Sequence, residues 1–164
     1  MTGGVEPVTS PERAAWTASA RGYRRSEVSA VVGHGDAVWE RAAQDVLRWR
    51  VKTASGFTVD SPGAVSVGDR VRVSARILFV TVVEPVEVVA VVREPDRVGF
   101  AYRTLPGHPV SGEETFIVYR HGDEVRLMVR SLTRAAPQQP WRALYPVLML
   151  AQLVARKRYL RSLR

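Results

Sequence analysis

Apolar and polar residues alternate with a period of two through most of the middle of the chain. Val71, Val73, Ala75, Ile77 and Phe79 fall on one side, and Arg70, Arg72, Ser74 and Arg76 on the other. Successive side chains of a strand point to opposite faces, so this pattern predicts a sheet with one dry and one wet face. Val86, Val88, Ala90 and Val92 continue the dry face. Val98, Phe100, Tyr102 and Thr104 form a further strand, and Phe116 and Val118 another. Val125, Leu127 and Val129 then alternate with Arg126, Met128 and Arg130. Turn-forming clusters separate these runs at Ser61-Pro62-Gly63, Gly68-Asp69, Glu94-Pro95-Asp96, Gly107-His108-Pro109 and His121-Gly122-Asp123. Upstream, Val28, Ala30 and Val32 alternate with Glu27, Ser29 and Val31 and predict a first strand.

The period changes twice. Past Gly33-His34-Gly35, the residues Val38, Trp39, Ala42, Ala43, Val46 and Leu47 recur at helical spacing and predict a helix over residues 36–48, with Asp36 as its N-cap. After Pro137 and Pro140, the residues Trp141, Leu144, Tyr145, Leu148, Gln152, Ala155 and Tyr159 repeat at three and four. They predict a long helix over residues 139–162, bent near Pro146.

A sheet with one dry face has to be covered, and the last helix is the only element long enough to do it. The expected fold is α+β: a curved antiparallel sheet of about six to seven strands gripping a long C-terminal helix. Val71, Val73, Ile77, Val88 and Phe100 are expected to meet Leu144, Tyr145 and Leu148. One helix does not fill the volume inside a curved sheet, so a cavity is expected between them. Residues 1–21 are rich in Gly, Pro, Ser, Thr and Ala, with Trp16 as their one large apolar residue. They read as a flexible or loosely docked leader before a single domain over residues 22–164.

This order of elements resembles the helix-grip fold of the START and birch-pollen-allergen superfamily. The stretch GHGDAVWERAAQDVLRW after the first strand is similar to the opening of many of its members. Three longer strings, VVGHGDAVWERAAQDVLRWRVKTASGF, RVGFAYRTLPGHPVSGEETFIVY and VRLMVRSLTRAA, precede a terminal ARKRYLRSLR. Together they resemble the family catalogued as domain of unknown function nineteen-ninety, from about Gly22 to the C-terminus. The resemblance supports the domain bounds and implies no reaction. The chain around Phe79 to Val86 departs from the family pattern.

Composition narrows the chemistry. The chain has no Cys, hence no disulfide, no Cys–zinc site and no thiol nucleophile, which fits a cytoplasmic protein. No export signal is evident. The longest apolar stretch, residues 145–155, contains Pro146 and Gln152 and is far shorter than the roughly 20 residues of a membrane span. The net charge is +8, from 22 Arg and 2 Lys against 16 acidic residues. Arg156, Lys157, Arg158, Arg161 and Arg164 supply five of those charges within the last nine residues. That run reads as a solvated helix end favoured by the helix dipole. Nucleic acid is therefore not an expected partner, and the tail leaves room only for weak peripheral contact with a membrane.

His34, His108 and His121 show no metal-ligand spacing, and no GxSxG nucleophile elbow occurs. Neither a metal nor a cofactor is expected. Gly33-His34-Gly35 before a helix is a weak anion-site signal. His108 lies in a Pro- and Gly-shaped loop, with Glu113 and Glu114 close behind it, and such a trio can serve as general acid and base. The ligand-contacting candidates are Tyr102, Thr104, Tyr119, Ser131 and Tyr145, polar or amphipathic positions of an otherwise apolar pocket, with the apolar Phe100, Val88 and Leu148. Two functions fit. One is a binding module for a small apolar or amphipathic molecule. The other is a cofactor-free cyclase, dehydratase or isomerase working by proton transfer, with His108 and Glu113 or Glu114 as its acid and base.

Overall fold

The computed structural model describes residues 8–17, 20–61, 63–77 and 79–164, with Ile77 placed by its backbone. The elements are β1 (Arg24–His34), α1 (Asp36–Val46), α2 (Arg50–Thr53), β2 (Phe57–Val59), β3 (Arg70–Ile77), β4 (Val80–Glu94), β5 (Arg97–Thr104), β6 (Val110–His121), β7 (Glu124–Ala135) and α3 (Trp141–Tyr159). The strands form one seven-stranded sheet in the order β1-β7-β6-β5-β4-β3-β2, with every neighbouring pair antiparallel. The sheet curls into a half-barrel whose concave face receives the helices, as the helix-grip expectation requires. Among the described residues no helix is long and apolar enough to cross a membrane.

The concave face carries the core. Phe100 and Phe116 stand opposite each other on β5 and β6, with ring centroids 5.9 Å apart. Trp49 closes on Phe100 at 4.8 Å from the link between α1 and α2. The helix predicted over residues 36–48 ends at Val46, and a second, short helix follows it. Trp49 adopts a left-handed conformation (φ 62°), which breaks the helical run and swings its ring into the core at 1% exposure. The N-cap of α1 is Gly35 at φ 92°, a backbone angle that suits glycine. Asp36, expected as the cap, is the first helical residue, and its carboxylate accepts from Arg120 instead.

Several face assignments change. A β-bulge between Val88 and Ala90 in β4 reverses the alternation. An extra residue in one strand shifts the following side chains to the other face. Val91 therefore packs on the core, while Ala90 and Val92 leave the concave face on which they were expected. Phe79, expected to face inward, lies in the β3–β4 connection and is 96% exposed, because β3 ends at Ile77. The inward side chain expected of Ile77, like Pro62 of the expected 61–63 turn, lies outside the described residues.

The convex face is not uniformly wet either. It is wet on β3, where Arg70, Arg72 and Arg76 are exposed. On β5 to β7, however, Ala101, Thr115, Ile117, Arg130 and Leu132 are all buried there. Residues 8–17, read from the sequence as part of a loose leader, form a strap over this surface. Thr9 and Trp16 are buried in it. Leader residues 1–7, 18 and 19 lie outside the described residues.

The last helix grips less of the sheet than its length suggests. Arg156 and Tyr159 of α3, and Leu163 beyond it, are buried. Leu144, expected in the core, is 42% exposed, and Tyr145 and Leu148 are half-buried. None of residues 141–147 in the first turns of α3 is buried.

Candidate functional site

The cavity has a volume of about 350 Å³. Its apolar wall comes from α3 (Leu148, Ala151, Ala155) and from the strands (Phe57, Val82, Val110). Lys52, Glu84, Tyr102, His108, Glu114 and Tyr159 also line it.

Lys52 organises that polar group. The turn at Trp49 aims α2 inward, and Lys52 ends 3% exposed. Its ammonium donates to the Tyr159 hydroxyl at 2.7 Å and lies 3.5 Å from Glu114 Oε1 and 3.7 Å from Glu84 Oε2. The Phe57 and Tyr159 rings sit 4.6 and 4.9 Å from it, within cation–π range. The Tyr102 hydroxyl donates to the carboxylate of Glu114. Burial alone would lower the Lys52 pKa. Tyr102, Tyr159, Glu114 and Glu84 outweigh it and hold the group well above the ordinary lysine range. Lys52 is thus a firmly charged ammonium, unlike the neutral amine of a nucleophilic lysine. Burial, followed by Glu114, raises Tyr102 well above its usual pKa, and burial raises Tyr159 as well.

His108 reaches the cavity from the loop after β5, where Gly107 takes φ 97°. The Val110 N–H donates to His108 Nδ1 at 3.0 Å, which leaves the ring proton of the neutral imidazole on Nε2, 4.0 Å from Glu84. The pKa of His108 is lowered to about 3, first by burial and then by the Lys52 ammonium. A buried imidazole with a lowered pKa makes stability depend on pH. The unfolded chain takes up the proton near pH 6.5 and the folded one only near 3, so stability is full above about 6.5 and declines as pH falls between the two values. Between pH 7 and 5 this one group is expected to remove about 2 kcal/mol. Urea titrations of His108→Gln should show a flatter pH dependence over that interval. An unchanged slope would place the acid sensitivity elsewhere.

Of the expected acid–base trio, the structure brings His108 and Glu114 to one cavity wall and separates Glu113 from them. Glu113 and Glu114 are neighbours in a strand and point to opposite faces. The Glu113 carboxylate accepts from the Thr9 N–H at 3.0 Å and from the Thr9 hydroxyl in the strap. Among the expected ligand contacts, Tyr102, Thr104 and Leu148 line the cavity. Phe100 and Val88 lie in the core, 0% and 1% exposed. Tyr119 is on the convex face, beside a shallow depression with Ala14 and Met128. Tyr145 is outside the lining, and Ser131 is held by Arg156.

Sequence reasoning did not single out Lys52, Glu84 or Tyr159. The one available signal was composition: Lys52 is one of two lysines among 24 basic residues. Arg156, assigned to a solvated tail, is 8% exposed, and its guanidinium donates to Ser131 Oγ at 3.0 Å. Burial lowers its pKa.

A curled antiparallel sheet closed by a C-terminal helix is the helix-grip architecture. The solved structures this chain resembles agree with that architecture. A hypothetical protein from Helicobacter pylori superimposes with a TM-score of 0.62 at 14% identity, over 85% of either chain. The ZhuI aromatase/cyclase from Streptomyces gives 0.58 at 16%, over 86% of this chain and 93% of that one. The ginseng (Panax ginseng) major latex-like protein gives 0.52 at 13%, over 84% and 98%. At these identities the likeness concerns the fold alone. The chain itself belongs to the family described as Domain of unknown function (DUF1990), whose model matches residues 9–162. A UPF0548 protein of Deinococcus radiodurans is 50% identical over 50 residues, which are 30% of this chain and 25% of that relative.

Proposed function

We propose that the protein binds a small amphipathic molecule in the cavity between sheet and α3. The observation that carries this is a cavity of about 350 Å³, largely apolar in wall, into which a buried ammonium, two carboxylates and two tyrosines project. Ligand sites are typically apolar clefts of about 300–1,000 Å³ with a few convergent polar groups. The apolar wall would hold the body of the ligand, and the Lys52 cluster would orient its polar end. Titration with Nile red, a neutral apolar dye, tests this. Saturable micromolar binding is expected, weakened by more than about tenfold in Ala151→Trp, which fills the cavity from α3. Equal binding by a folded Ala151→Trp variant would put the dye elsewhere and reject the reading.

A second reading, proton-transfer catalysis in the same cavity, is favoured by the continuous Tyr102–Glu114–Lys52–Tyr159 chain. Its acid and base would be Tyr159 and Glu114, with Glu113 excluded by its orientation. On that reading Glu114→Gln keeps ligand affinity and loses about 10²–10⁴ in turnover.

A further inference from the structure

We propose that Arg156, with Ser131 and Thr133 on the facing strand, forms a subsite for the carboxylate of an amphipathic acid bound in the cavity. The proposal deepens the reading above and rests on it.

Arg156 projects from α3 into the cavity wall and is 8% exposed. Its bonds run from one nitrogen, Nη2, to Ser131 Oγ at 3.0 Å and Gln152 Oε1 at 3.5 Å. Both acceptors are neutral. Among the described residues no carboxylate lies within 4.0 Å of the Arg156 guanidinium. A guanidinium offers five N–H donors, and a buried cation without a counter-charge is costly. Arg130 on β7, also buried, shows the contrast: it meets Glu27 at 2.7 Å.

The nearby carboxylates are already engaged. Lys52 takes Glu84 and Glu114, and Glu113 turns away to the strap. The cavity is lined by the buried cations Lys52 and Arg156, by Arg76 and Arg158 exposed at its rim, and by Glu84, Glu113 and Glu114, of which Glu113 is bound to the strap. The same cavity wall holds a second group without a partner. Thr133 Oγ1 is buried and has no hydrogen-bond partner, and Thr133 lines the cavity two residues along β7 from Ser131. A carboxylate placed there would accept from the free edge of the guanidinium and from the Thr133 hydroxyl, so that one ligand group satisfies both. The planar fork of arginine suits the two oxygens of a carboxylate.

Decanoate and decanol, which share a chain length and differ in head group, test this by calorimetry. Wild type is expected to bind decanoate at least about tenfold more tightly than decanol at neutral pH. Arg156→Leu should abolish that preference while holding decanol affinity within about threefold. Because Arg156 also anchors α3 to β7, Thr133→Val serves as a near-isosteric second variant that keeps every observed hydrogen bond. It should lose decanoate affinity severalfold and leave decanol unchanged. Equal wild-type affinity for the two ligands would overturn the carboxylate subsite and leave the cavity reading standing. No binding of either would remove both. A decanoate preference that survives Arg156→Leu would place the anion at another cation of the wall, Lys52 or the Arg76 and Arg158 rim, and overturn this assignment. So would an unfolded Arg156→Leu together with an unaffected Thr133→Val.

Discussion

Replacing Arg130 by Met is expected to destabilise the protein by about 3–5 kcal/mol, because it removes a fully buried guanidinium that serves four strap carbonyls as well as the partly exposed Glu27. Arg130 lies on the convex face of β7 at 0% exposure. Its guanidinium donates to Glu27 at 2.7 Å and to four strap carbonyls, those of Thr9, Ser10, Arg13 and Ala14, at 2.7 to 3.2 Å. Arg97 adds the carbonyls of Pro11 and Arg13. Arg25 stacks on Trp16, with its guanidinium carbon 4.0 Å from the ring centroid. Methionine would fill the space of the arginine stem but satisfy none of those acceptors, and the carbonyls would be buried without donors or would pull the strap free. Chemical denaturation measures the loss. Hydrogen exchange should show residues 8–17 opening well before the sheet. A loss under about 1 kcal/mol would mean that water replaces the guanidinium and that the strap contributes little to the fold.

The strap also shows where sequence reading stops. Arg130 binds backbone carbonyls, which every residue carries, so nothing in the composition of residues 8–17 announces the contact. By contrast, the sheet was legible wherever the alternation was clean, as in β3 and β7. The bulge in β4 defeated it, because one inserted residue reverses the facing of Ala90 and Val92 without changing the apolar pattern. Other errors were avoidable. Phe116 and Val118 face the core, so alternation alone puts Glu114 inward and Glu113 and Tyr119 outward. Arg156 shares a helical face with Gln152 and Tyr159, and the same spacing that marked α3 as gripping the sheet placed this arginine inward. Lys52 could not be reached in this way. It depends on the left-handed turn at Trp49, a conformation tryptophan rarely takes, and on a four-residue helix too short to show a period.

Lys52→Met carries the other large expected effect. Removing the ammonium leaves Glu84 and Glu114 without their nearest cation in a largely apolar wall, and such a change costs about 3–5 kcal/mol at neutral pH. The methionine itself suits the aromatic ring of Phe57 and Tyr159, so packing does not account for the loss. The pH dependence identifies its source. In the wild type the Lys52 pKa is raised above its unfolded value, so its contribution is complete at every pH below about 10.5 and is lost only as pH climbs past the folded value. His108 gives the variant a different pH response, since Lys52 is one cause of its lowered pKa. Without that ammonium His108 takes up a proton at higher pH, so the deficit relative to wild type should be largest at pH 7.5 and shrink by pH 5. Urea titrations of both proteins at the two pH values measure this, and adding Glu84→Gln and Glu114→Gln to Lys52→Met should recover much of the loss at pH 7.5. A deficit that stays constant with pH, or that the added glutamines do not relieve, would mean that Lys52 acts through packing and that the cluster is not the charged network its geometry describes.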